Sequence, residues 1–154
     1  MDPIIANLIY KINKRLPYGY KELEKYEKKI THWAWWAWPN NKPGNHEPGV
    51  KTYVTQQTAF MFLNNIPDIW YLTLHKINHL LDYAAQGFPD IYTNEYQKEI
   101  IPMIDHGRIC YFLGFWNEIL KSNETWQFLE FRIVIKNLSK HFKSIKPNTL
   151  DKTC

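Results

Sequence analysis

Cysteine is nearly absent. The 154 residues hold two, Cys110 inside an apolar run and Cys154 at the last position. With no Cys-x-x-Cys spacing and no set of paired cysteines, the sequence predicts no disulfide framework, a reducing intracellular compartment, and a free thiol at Cys154. Long hydrophobic runs are missing too. The longest, from Ile109 to Trp116 with Gly114 inside it, is far short of the ~20 residues that span a bilayer. No basic stretch precedes the apolar residues of Met1-Asp2-Pro3-Ile4-Ile5, so neither a secretory signal nor a membrane partner is expected, and a soluble, cytoplasmic chain is. His-Glu-x-x-His, Gly-Lys phosphate loops and dinucleotide-type glycine patterns are lacking, and no metal or cofactor is predicted.

Net charge is also missing over most of the chain. The formal net charge is +4, but residues 136–154 carry five Lys and one Asp, which leaves residues 1–135 neutral as a whole. Net basicity therefore belongs to the C-terminal end. Sixteen of the nineteen basic residues are Lys, and Ile and Asn are plentiful. This composition points to an A+T-rich genome and discounts Lys richness as a sign of selection on charge.

What is present is helical periodicity. Asp2-Pro3 is an N-cap followed by Pro at the first helical position, with Ile5, Ile9 and Ile12 on one face, and Pro17 with Gly19 is expected to close that helix. A second helix is predicted from about Tyr20, aligning Leu23, Tyr26, Ile30, Trp33 and Ala37. A short strand is the alternative for its last part. Two Pro and two Gly between Asn40 and Val50 make a surface loop. Thr55 caps a short helix through Leu63, and a long one runs from Pro67 to Gly87 with Ile69, Leu72, Ile77, Leu80, Tyr83 and Ala84 inward. Asn94 with Gln97 opens a helix that Pro102 interrupts. Asp105 starts another, burying Ile109, Phe112, Phe115, Trp116 and Ile119. Phe128, Phe131, Ile135, Leu138 and Phe142 mark the last. The expectation is one all-α compact domain of six or seven helices over residues 1–142, with 143–154 as a mobile basic tail.

Four of the seven tryptophans fall within six residues, in Thr31-His32-Trp33-Ala34-Trp35-Trp36-Ala37-Trp38-Pro39. Each indole is a large apolar body with one N–H that needs a partner when buried, so the segment builds either a rigid core or an aromatic-walled pocket. It resembles the Ser-His-Trp-Met-Trp-Phe-x-Phe-Pro signature of a small bacterial domain family of unknown function, sometimes labelled calpastatin-like. The order His-Trp-x-Trp-aromatic-x-aromatic-Pro is kept, Lys28 and Lys29 stand at the family's basic positions, and Ala34 replaces Met. The resemblance covers Leu23 to Pro39. The family's later Asp, Lys and Ser-Ser element corresponds to Asp105, Arg108 and the stretch through Trp116, without the Ser-Ser pair. A shared fold is what the resemblance implies.

From the residues themselves, His32 and Trp36 are four apart and lie on the same side of a helix or a strand. With Lys28 one turn earlier, they predict a site for an anionic, planar molecule such as a nucleotide, stacked against Trp35 and Trp36. His32 is the expected acid or base, with Asp105 as a second catalytic group and Arg108 as an anion clamp. A core histidine, and an N-cap with a local Asp105–Arg108 ion pair, are the structural alternatives. His75 and His79 have the one-turn spacing of metal ligands but read as a solvated face. A different function class rests on Arg132, Lys136, Lys140 and Lys143, a basic stripe able to bind nucleic acid nonspecifically. Exposed aromatics docking a structural partner make the remaining alternative.

Overall fold

A computed structural model describes residues 1–42, 51–88 and 95–142. The Pro- and Gly-rich loop beyond Lys42, the Asn94 cap, and the tail with Lys143 and Cys154 lie outside the described residues. What is described is all-helical, with no strand: α1 (Pro3–Tyr26), α2 (Ala34–Ala37), α3 (Ala59–Leu63), α4 (Asp68–Ala85), α5 (Glu95–Ile100), a 3-10 turn (Met103–Asp105), α6 (His106–Lys121) and α7 (Leu129–Phe142). None of these helices is long and apolar enough to cross a membrane.

The Asp2 carboxylate accepts from the backbone N–H groups of Ile4 and Ile5 at 2.9 and 3.2 Å, and Pro3 follows as expected. The helix does not close at Pro17. It runs on through Pro17 and Gly19 to Tyr26, where Glu27 takes a left-handed φ of 58° and returns its N–H to Leu23. Pro17 supplies no N–H donor and crowds the preceding turn. Packing overrides it: Ile5, Leu8, Ile12, Leu16 and Leu23 form one fully buried row on both sides of the proline. The predicted second helix through the tryptophans is therefore replaced by the end of α1, a bend, and the single turn α2.

From α3 onward the elements follow the expected order. Thr55 and Thr58 cap each other ahead of α3, with Thr58 N–H donating to Thr55 Oγ1 at 3.2 Å and Thr55 N–H to Thr58 Oγ1 at 2.9 Å. On α4 the buried face is rotated from the expected one: Leu72 and Tyr83 face solvent while Trp70, Leu74, Ile77 and Leu81 are fully enclosed. The cause is that α4 is wrapped by α1, α2, α5 and α7 together, so the inward arc is set by four neighbours and not by a single apolar stripe. Phe128, expected on the last helix, sits just before it at a positive φ of 54°.

The centre is aromatic. Trp70 stacks on Phe131 at 5.3 Å, Trp116 meets the same ring edge-on at 4.9 Å, and Phe62 and Phe112 close the group.

Candidate functional site

The Trp segment is anchored from both ends. Before it, the Glu22 carboxylate of α1 accepts from the N–H groups of Ile30 and Thr31, from Thr31 Oγ1 and from the Trp33 indole. Partial burial works against that charge, but the four donors outweigh it and hold the Glu22 carboxyl below its usual range. Behind it, three side chains from α4 and α6 take the carbonyls that a one-turn helix leaves open. The Trp70 indole donates to Ala37 O at 2.9 Å, the Trp116 indole to Pro39 O at 2.8 Å, and the Arg108 guanidinium to the carbonyls of Trp35, Trp38 and Lys42 at 3.2, 3.1 and 3.4 Å.

The choice between core and pocket falls on core. Trp33, Trp36 and Trp38 are enclosed, with Trp33 stacked on Trp38 at 6.0 Å, and Trp35 is half-buried with its ring edge-on to Trp36. His32 is exposed and does not share the inward side of Trp36. The expected alignment required a regular helix or strand across the two positions. Instead His32 lies in the bend ahead of α2, with Trp33 at φ −140° and ψ 15° between them.

The charged partners are also re-paired. Lys28 points to solvent, whereas Lys29 is buried, with Nζ 2.7 Å from Asp105 Oδ2 and 5.3 Å over the Trp33 ring. Asp105 is therefore the partner of the buried Lys29 rather than of Arg108, and Arg108 serves as a carbonyl clamp. Asp105 and Arg108 do converge on the Trp segment, but they hold it in place. A cleft of about 540 Å³ opens between α1, α4 and α5, lined by Tyr26, Glu27, Tyr83, Phe88 and Glu99 among others, and a smaller one opens beside α6. His32 lines neither, and the two carboxylates of the first would repel an anion.

The C-terminal stripe is weaker than its sequence suggests. Arg132 donates to the carbonyls of Gln127, Leu120 and Glu124 at 2.7, 3.2 and 2.9 Å, closing the α6–α7 turn. Lys136 is exposed, Lys140 lies 3.8 Å from Asp82, and Lys143 is outside the described residues.

Two arrangements were not anticipated. Tyr96, His141 and Asp82 form a polar chain joining α5, α7 and α4: an ionised carboxylate only accepts, so His141 Nε2–H donates to Asp82 at 2.7 Å and Nδ1 accepts from Tyr96 at 2.9 Å. Burial pushes His141 below its usual pKa despite Asp82, and pushes Tyr96 up. Tyr96 and His141 are enclosed while Asp82 is half-exposed, so the chain ties α5, α7 and α4 together from the core to the surface. The other is the outer face of α1, where Lys and Tyr alternate. Its sequence signal is the lack of any Asp or Glu between Pro3 and Lys21, offset in the net charge of residues 1–135 by carboxylates further along the chain.

No protein-family model, curated protein or solved structure matches this chain.

Proposed function

We propose that the chain works as an interaction protein, presenting a surface to a partner larger than a metabolite. One observation carries this reading: the groups that would have made a small-molecule site do not converge on open space. Trp36 is packed into the core, Arg108 is directed at three backbone carbonyls, Asp105 faces Lys29, and His32 and Lys28 stand in solvent on a bend. A ligand pocket needs a few polar groups aimed into one concavity. The competing proposal, an anionic planar ligand held by His32, Lys28 and the half-buried Trp35, keeps only side chains that line neither cleft.

A thermal-shift screen against nucleotides, nicotinamide-derived metabolites and phosphosugars at two pH values separates the two. The expected result is no stabilisation by any of them, and a melting temperature for His32→Gln within a degree or two of wild type, because an exposed side chain is being changed. A stabilisation of several degrees that His32→Gln removes overturns the interaction reading in favour of the ligand site.

A further inference from the structure

Residues 3–21 of α1 carry Lys11, Lys14, Arg15 and Lys21 and no carboxylate, and Lys25 follows one turn later, past Glu22, which is bound to Thr31 and Trp33, and the exposed Glu24 at the margin of this face. At about 100° per residue, Tyr10, Lys14, Lys21 and Lys25 fall within an arc of roughly 60°, opposite the buried row from Ile5 to Leu23, with Lys11 and Tyr18 at its edge. Tyr10 is 58% exposed and Tyr18 70% exposed. Lys14 Nζ sits 5.6 Å over the Tyr10 ring, and Lys11 and Arg15 flank the Trp36 ring at 5.7 and 6.0 Å. None of these five cations is in an ion pair with another described residue. From Tyr10 to Lys25 the stripe is about 22 Å long on a rigid helix.

We infer that this face of α1 binds single-stranded nucleic acid, with backbone phosphates tracking Lys14, Lys21 and Lys25 and bases stacking on Tyr10 and Tyr18. The inference rests on the interaction reading above and names its partner. Charge complementarity alone fits any polyanion; the two tyrosines narrow it. Bases of a single strand offer open faces to aromatic rings set among cations, whereas a duplex hides them. An anionic membrane needs an apolar helix face to insert, and that of α1 is already buried in the core. An acidic peptide would use the lysines and leave the exposed rings without a role. Because the stripe reads no base edges, the binding is sequence-tolerant.

Fluorescence anisotropy with labelled twenty-nucleotide oligo(dT) and oligo(U), and a duplex of equal length, tests it on the full chain. Wild type should bind both single strands more tightly than the duplex, with affinity falling steeply from 50 to 200 mM salt. Lys14→Gln/Lys21→Gln/Lys25→Gln should weaken binding at least tenfold and flatten the logarithmic salt dependence by about 2, as three lost phosphate contacts imply for a single strand. Tyr10→Ser/Tyr18→Ser should cost about tenfold on single strands with little change on duplex, and melting curves should match wild type because all five positions lie outside the core. Lys136→Gln/Lys140→Gln should bind as wild type does. Three results overturn the inference: no salt-dependent binding, binding that survives the α1 changes and is lost in the α7 variant, or affinity for phosphatidylserine vesicles without affinity for oligonucleotides. Each is distinct from failure of the interaction reading, which shows instead as His32-dependent stabilisation by a small ligand.

Discussion

The pairing of Lys29 with Asp105 shows how one residue's direction decides a role. Two adjacent lysines leave the end of α1, and the one that turns inward meets a carboxylate at 2.7 Å with its side chain only 3% exposed. A buried ion pair is more costly to break than to replace, because removing one partner strands the other charge in a poor solvent. Asp105→Ala should therefore lose about 3–5 kcal/mol in urea unfolding, while Lys29→Met/Asp105→Leu should lose clearly less. Equal losses from the single and double variants would mean that the pair is solvated. Trp36 gives the complementary case of a packed apolar body: Trp36→Ala should cost on the order of 3–5 kcal/mol, and a loss below about 1 kcal/mol would show the ring to be open to solvent or ligand.

Within α1, two helix-breaking residues two positions apart should respond to substitution with opposite signs. Pro17 lies inside the helix, where it removes a hydrogen bond and crowds the previous turn. Pro17→Ala should raise stability by about 1–3 kcal/mol. Gly19 is also in helical conformation, so propensity alone would favour alanine by about 1 kcal/mol. A Cβ there, however, would stand 2.9 Å from Cε2 of the enclosed Trp33 ring. Overpacking of that kind costs about 1–3 kcal/mol, so Gly19→Ala should destabilise on balance. The glycine is what lets α1 approach the Trp segment. Urea midpoints for the two variants moving in the same direction would contradict this account.

For the molecule as a whole, buried titratable groups set a pH dependence. Burial lowers the pKa of His106 below its usual 6.5, against the opposing Ile101 carbonyl and Asp105, and Lys98 adds to the lowering. The same holds for His141, with Asp82 opposing and Lys140 adding. Below pH 6.5 the unfolded chain takes up protons that the folded chain refuses, so stability is complete above that value and falls as pH drops through it. Glu22 acts lower down: its depressed pKa contributes stability above about pH 4.5 that is lost as pH falls through its folded value. Urea midpoints should thus decline from pH 7.5 to 5.5 and fall again towards pH 3.5. His106→Gln should flatten the upper decline, and a midpoint independent of pH between 7.5 and 5.5 would refute it.

Local chemistry was legible in the sequence wherever a single element decides it. Three-and-four spacing declared the helical class, Asp2-Pro3 fixed the start of α1, and the aromatic rows of α6 and α7 marked what they bury, because amphipathic periodicity records which side of a helix avoids water. Most of what the candidate site required lay in contacts between residues far apart in the chain. Whether Pro17 ends a helix depended on the neighbours of Leu16 and Leu23, and the inward arc of α4 on the four elements wrapping it. Whether four tryptophans make a wall or a core depended on Trp70, Arg108 and Trp116 reaching back for the carbonyls of Ala37, of Trp35 and Trp38, and of Pro39. A hydrogen-bond donor 70 residues away, as Arg108 is from Trp38, leaves no mark in local spacing. The tertiary structure alone decided that the Trp segment is held rather than open, because only packing determines which polar groups are already satisfied and which remain for a partner.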